Sequence, residues 1–262
     1  MKSIYAFLSS PQRAWIISLV VLWAIFLFGG FLFGSPNQSY SHRMPTWTRM
    51  ASSFMLVLAG WSWFAFSFKQ PVNRYALLVS LGMVFGFLGD LFLASVLPAP
   101  NRVLAGIAAF AVCHVFYILA IVGFGRRFGL NDQAIRWRML GVWWLVGLAG
   151  WFFVVFLGQD PTILHWAALP YALLLAGTAG LGSALAWQDR RFVLLALGAA
   201  LFLLSDLILA GDMFGDLFFR LIGDVVWLTY GPGQMLIVYS IGAAWQFSLT
   251  RQPAAGEAGE GL

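Results

Sequence analysis

Apolar residues run along this chain in blocks close to the 20 or so that a helix needs to cross the hydrocarbon of a bilayer. Eight such blocks stand at about 14–33, 49–68, 74–97, 103–124, 138–157, 162–187, 192–210 and 223–248. The joints carry breakers and charges, as in "GSPNQSYSHRMP", "KQPVNR", "PAPNR", "GRRFGLNDQAIRWR" and "QDRR". The first block follows Lys2 and Arg13, exceeds a signal-peptide core and has no small-residue cleavage site, so it reads as an uncleaved span. The pattern predicts an all-α, polytopic membrane bundle of eight transmembrane helices over 1–248. A Gly/Ala/Glu-rich tail at 249–262 is expected to be disordered and cytoplasmic.

Composition agrees: 61% of the 262 residues are hydrophobic and 10% charged, against roughly a quarter charged in soluble domains. The net charge of +5 describes topology here and not a nucleic-acid surface. Eleven Lys and Arg fall at the N-terminus, in the second, fourth and sixth joints and in the tail, against Arg43, Arg49, Arg102 and Arg220 on the other side. That bias predicts an integral protein of a bacterial-type inner membrane with both termini cytoplasmic. The one cysteine, Cys113, rules out an internal disulfide and thiolate metal clusters.

Two of the apolar blocks hold a carboxylate. Residues 87–94 read "FLGDLFLA" and 203–210 read "LLSDLILA", identical at five of eight positions, Asp90 and Asp206 among them, at an offset of 116. The offset maps the third span onto the seventh and the fourth onto the eighth, as two parallel four-helix halves (1–124 and 125–248) would; Leu-rich segments also match by chance. An Asp at a helix centre costs roughly 2.5–3.5 kcal/mol on insertion scales, and such residues usually mark a site. Alternatively, each Asp is a structural group satisfied by a neighbouring hydroxyl. Asp90 lies 16 residues into its span and Asp206 lies 14 into its own, which puts both at similar depth in the outer half of the bilayer. His114 and Tyr117 share one helix face at a spacing of three, and Tyr230 and Gln234 another at a spacing of four. Pro232 between Gly231 and Gly233 is expected to kink the last span. Asp212, Asp216 and Asp224 read as solvated loop residues that could border an entrance, and His165 has no evident partner.

Four segments, "LGDLFLA", "GIAAFAVCHVFYI", "GAALFLLSDLILAGDMF" and "TYGPGQMLI", resemble in order and spacing the YhhN family of eight-span membrane proteins, whose animal members are lysoplasmalogenases. The resemblance carries over Asp90, His114, Tyr117, Ser205, Asp206, Tyr230 and Gln234. The family tends to have Lys-Pro after its second span; here "FKQPV" inserts Gln70, and Lys69 reads as a positive-inside anchor. The implied reaction is hydrolysis of the vinyl-ether bond of a lysoplasmalogen or related ether lysophospholipid. It needs a general acid, a group to stabilise an oxocarbenium ion and a base for water. Two carboxylates in one apolar site can divide these roles, because both do not ionise readily together. Asp90 and Asp206 are thus the expected catalytic pair, with His114, Tyr117, Ser205, Tyr230 and Gln234 supporting them or holding water. No metal and no cofactor is expected: the three histidines lie far apart with no His-x-x-x-His spacing, and Ser205 has no evident base for a Ser–His hydrolase. The rival from another class is a proton-coupled transporter, which would also use midmembrane acids and a Pro/Gly-interrupted helix. A lipid-binding protein without turnover is a third reading.

Overall fold

The computed structural model describes residues 5–37, 40–157, 162–215 and 217–251. Lys2, Asp216 and residues 252–262 of the expected tail therefore lie outside the described residues. The described residues are helical, with no strand among them, and form eight long helices at the eight apolar blocks. We label them α1 (Ser10–Phe33), α2 (Thr46–Phe66), α3 (Asn73–Leu93), α4 (Arg102–Phe128), α5 (Gln133–Phe156), α6 (Ile163–Gln188), α7 (Val193–Phe214) and α8 (Ile222–Arg251). Six of them, all but α2 and α8, are long and apolar enough to cross a membrane, which makes the chain an integral membrane protein.

α2 and α8 have the length, at 21 and 30 residues, and fall short in hydropathy alone. Beside the half-buried Arg49, many of the residues that lower it are buried: Thr48, Ser52 and Ser53 on α2, and Asp224, Gln234, Ser240 and Ser248 on α8. A polar face turned into the bundle lowers a helix's mean hydropathy without exposing anything to lipid.

Helix ends follow local chemistry. Ser9 and Gln12 form a reciprocal capping box at the start of α1, with Pro11 in its first turn. Asn101 and Asp132 accept from backbone N–H groups three residues on, at 3.0 Å each, to start α4 and α5. Gly129 takes the left-handed conformation that ends α4, at φ +74°. The last stretches of α1 (Ile25–Gly29 and on to Phe33) and α5 (Trp151–Phe156) include π-helical turns. α8 is helical without a break through Pro232 and on to Arg251, so no unwinding accompanies that proline and residues 249–251 belong to the helix.

α3 pairs with α4, α7 with α8, and α5 with α6; α2 touches α1, α3 and α8, while α6 touches α4, α5 and α7. α6 is the most enclosed spanning segment, 67% buried, whereas α5 is 22% buried and turns Leu145 and Phe153 outward. Large apolar side chains on the outside suit lipid contact, and the interior is closed by small residues that let backbones approach. Gly82 is one such position: a Cβ there would lie 2.4 Å from the Tyr117 ring.

Candidate functional site

Asp90 lies three residues before the end of α3 and is buried. Its Oδ2 accepts from Ser53 Oγ of α2 at 2.5 Å and from the Tyr230 hydroxyl of α8 at 3.1 Å. The Tyr230 hydroxyl accepts in turn from Gln234 Nε2 at 3.2 Å, one helical turn along. Gln234 Oε1 accepts from the Tyr117 hydroxyl of α4 at 2.7 Å. Every donor in this chain points the same way, from Tyr117 through Gln234 and Tyr230 to the Asp90 carboxylate. Such chains polarise one another in a medium of low dielectric. With Ser53 included, four helices meet at Asp90 and this chain.

Asp206 on α7 has a separate set of partners. Its Oδ2 accepts from the Tyr171 hydroxyl of α6. Its Oδ1 accepts from Ser205 Oγ at 3.1 Å, a hydroxyl that also donates to the Phe202 carbonyl at 2.7 Å. The two carboxylates come together on one cavity of about 160 Å³, whose wall also includes His42, Arg49, Asp212 and Trp227. A smaller apolar cavity of about 70 Å³ lies between α5, α6 and α7, against Trp151, Tyr171, Leu175 and Met213. Asp206 and Leu209 line both cavities, and Asp90 lines only the polar one.

Of the seven residues expected from the sequence, Asp90, Tyr117, Tyr230 and Gln234 form one hydrogen-bonded chain, and Asp206 and Ser205 a second cluster. His114 binds neither aspartate. Its Nδ1 lies 2.9 Å from Thr178 Oγ1, and its ring packs 4.5 Å from Phe202 and 6.2 Å from Tyr171. Its Nε2 is buried with no partner among the described residues.

Two expectations about the loops change. Asp224 is not solvated: it is wholly buried and accepts from the backbone N–H groups of Arg43 at 2.5 Å and Met44 at 3.1 Å, with His42 at 3.6 Å. It ties the segment before α2 to the start of α8. His165 does have a partner, since its Nδ1 accepts from the Thr162 N–H at 3.0 Å and so caps α6. Asp212 is exposed at the wall of the polar cavity, as a rim residue would be.

Sequence reasoning missed Ser53, Tyr171, Thr178 and Arg49. The "ASSF" pair in an otherwise apolar block was a signal for Ser53, and "LPY" for Tyr171, but either could equally have been packing. Arg49 entered the topology argument only as a charge on the outer side. Among the described residues, no group of three or more His, Cys, Asp or Glu could hold a metal ion.

No curated protein and no solved structure matches the chain. A model of the YhhN family does match it, over residues 47–241. That stretch covers α2 to most of α8 and includes both aspartates and all the groups that bind them. The chain therefore belongs to the YhhN family.

Proposed function

We propose that this protein is an intramembrane lipid hydrolase that cleaves the vinyl-ether bond of lysoplasmalogens, giving a fatty aldehyde and a glycerophospho-alcohol. Family membership supports the class of activity. The observation that carries the reading is that Asp90 and Asp206 line one small cavity while each is held by neutral hydroxyl donors. Neither carboxylate forms an ion pair among the described residues, so each is free to exchange a proton.

In this reading one carboxyl delivers its proton to the β-carbon of the vinyl ether, which leaves an oxocarbenium ion stabilised by the other, ionised carboxylate. Water adds to the α-carbon and gives up a proton to that carboxylate, and the hemiacetal collapses to aldehyde and alcohol. We assign the acid to Asp206, because it borders the apolar cavity where the chain and β-carbon would lie. Asp90, bordering only the polar cavity, is then the base for water. A positioned acid or base is worth about 10²–10⁴-fold. Ser53, Tyr230, Gln234 and Tyr117 would fix the base, and Tyr171 and Ser205 the acid.

We further read α2 and α8 as spanning, which makes eight spans with both termini on the cytoplasmic side of a bacterial-type inner membrane. The neighbour pattern supports two related halves: α1–α2, α2–α3, α3–α4 and α2–α8 recur as α5–α6, α6–α7, α7–α8 and α6–α4 on a shift of four helices.

The test is incubation of the purified protein in detergent with alkenyl-lysophosphatidylethanolamine and its saturated-ether analogue, with free aldehyde followed by mass spectrometry. Aldehyde should come from the vinyl ether only, and fall at least 100-fold in stable Asp90→Asn and Asp206→Asn variants. Full turnover in both variants would end the acid–base assignment. No aldehyde from a folded wild type would end the hydrolase reading and favour a carrier.

A further inference from the structure

Arg49 is a cation that the proposed chemistry does not use. It lies on the first turn of α2 and on the wall of the polar cavity that holds both aspartates. Its guanidinium stands 5.7 Å over the Trp227 ring, with Nη1 3.2 Å from His42 Nε2 and Nη2 donating to Thr46 Oγ1 at 3.0 Å. Its Nε is buried with no hydrogen-bond partner, and it forms no ion pair among the described residues. The charges of Asp224 and Asp90 act on it without closing an ion pair, so its unused Nε donor leaves room for an anion to complete this half-buried arginine. Its planar fork, held over an aromatic ring and steadied by Thr46, is suited to phosphate oxygens.

The second observation is the order of the cavities. From Arg49 the polar cavity leads to Asp206, and from Asp206 the apolar cavity leads away along Trp151, Leu175 and Met213. At about 160 Å³ the polar part has room for about five waters at roughly 30 Å³ each, which suits a small polar head group. Beside Asp206 and the Tyr171 hydroxyl, the polar group on the apolar part is the Trp151 N–H, already bound to the His165 carbonyl.

We propose that Arg49 binds the phosphate of a single-chain amphiphile whose head fills the polar cavity and whose chain passes Asp206 into the apolar one. The inference deepens the lipid-hydrolase reading and rests on it for the identity of the amphiphile. It makes Arg49 a specificity-determining residue: it selects phosphorylated lipids and sets the cleavable bond, a fixed few atoms from the phosphate, against Asp206. Asp212, exposed on the same cavity wall, faces the place where the amine of a zwitterionic head group would project.

The experiment measures binding and not turnover, so that it survives failure of the reaction. The full chain in detergent is titrated with three probes: saturated 1-alkyl-lysophosphatidylethanolamine, the 1-alkylglycerol of the same chain length, and sn-glycerol 3-phosphate. Wild type should bind the lysophospholipid on the order of ten- to a hundredfold more tightly than the alkylglycerol. Arg49→Gln should erase that preference while binding alkylglycerol as wild type does, and Arg49→Lys should keep part of it. Equal binding of the two lipids by wild type overturns the proposal, as does an equal loss of both in Arg49→Gln. Glycerol 3-phosphate binding as tightly as the lipid would show a site for a free phosphate ester and overturn the threaded chain. Phosphate-dependent binding without aldehyde release from the alkenyl lipid would leave the Arg49 site standing and remove only the hydrolase reading. Should Arg49→Gln fail to fold, the wild-type comparison and Arg49→Lys still decide it.

Discussion

Replacing Gly86 by Ala tests whether the hydrogen-bonded chain behind Asp90 works as a unit. Gly86 lies on α3, one turn before Asp90, and faces α8. A Cβ at that position would stand 2.7 Å from Gln234 Nε2, 3.5 Å from Cys113 Sγ and 3.7 Å from the Tyr230 hydroxyl. Ordinary contact begins near 3.4 Å, so the Gln234 amide would have to retreat by about 0.7 Å. Gln234 is wholly buried and held at 2.7 Å by Tyr117 and 3.2 Å by Tyr230, so retreat stretches the Tyr230 bond towards the limit of a hydrogen bond. Overpacking of this kind costs about 1–3 kcal/mol and a lost neutral hydrogen bond about 1. Replacing a helical Gly by Ala returns up to about 1. The net expectation is a loss of about 2 kcal/mol, or a thermal midpoint lower by about 4–8 °C in a chain of this length. Turnover of the alkenyl lipid should fall on the order of tenfold as Tyr230 loses its fixed position against Asp90. The control is Gly123→Ala on α4, where a Cβ meets nothing within 4 Å and stability should hold or rise slightly. Pairing Gly86→Ala with Gln234→Ala removes the clash, so the double variant should be more stable than the sum of the singles. A Gly86→Ala protein as stable and as active as wild type would refute the chain as an organised unit.

Three further expectations follow from the same geometry. Tyr171→Phe removes the hydroxyl that binds Asp206 and should lower aldehyde release at least tenfold while costing about 1–3 kcal/mol, read by thermal unfolding; unchanged turnover would release Tyr171 from the site. Thr178→Val strips His114 Nδ1 of its partner and leaves both ring nitrogens bare, so a loss of about 1–3 kcal/mol is expected, with a stability equal to wild type as the contrary result. At the joint between α6 and α7, slight burial raises the pKa of Asp189, but hydrogen bonds from the Arg191 side chain and N–H and the charges of Arg191 and Arg251 outweigh it and hold the carboxyl below its ordinary range. A group lowered on folding adds stability above its unfolded value of about 3.9 and loses it as pH falls through the folded value. Asp189→Asn should therefore lower the thermal midpoint at pH 7 by an amount equivalent to less than about 1 kcal/mol, and the gap should narrow as pH falls below the unfolded value of about 3.9; a gap that widens there would contradict the sign.

What the sequence disclosed follows from what a membrane makes conspicuous. Apolar runs matched all eight helices within a few residues, and for the six apolar enough to cross hydrocarbon the reason is that such a segment has no other way to satisfy its backbone. Asp90 and Asp206 were visible since carboxylates are rare in such runs, and the i,i+4 spacing of Tyr230 and Gln234 survived into a real hydrogen bond. Ser53 and Tyr171 stayed hidden, although they bind those same carboxylates, because hydroxyl residues occur in membrane helices for many reasons and their partners lie 37 and 35 residues away. His114 stood out as a histidine in an apolar run, and its bonded neighbour Thr178, 64 residues away, did not. Asp224 misled because a carboxylate next to a loop looks wet, and only the fold brings two backbone N–H groups to it.

The bond between Asp224 and the segment before α2 also sets an order of assembly. Arg43 and Asp224 are 181 residues apart, and Tyr40 and Ser41 accept from the N–H groups of Leu221 and Gly223 at the same junction. At roughly 5–20 residues per second of synthesis, the segment that bears His42 waits about 9–36 s for Asp224, at the start of α8, to be made. Asp90 waits almost as long for Tyr230, 140 residues behind it, and until then has Ser53 as its hydroxyl partner. The polar cavity is thus closed by α8, which is made after every other helix that lines it.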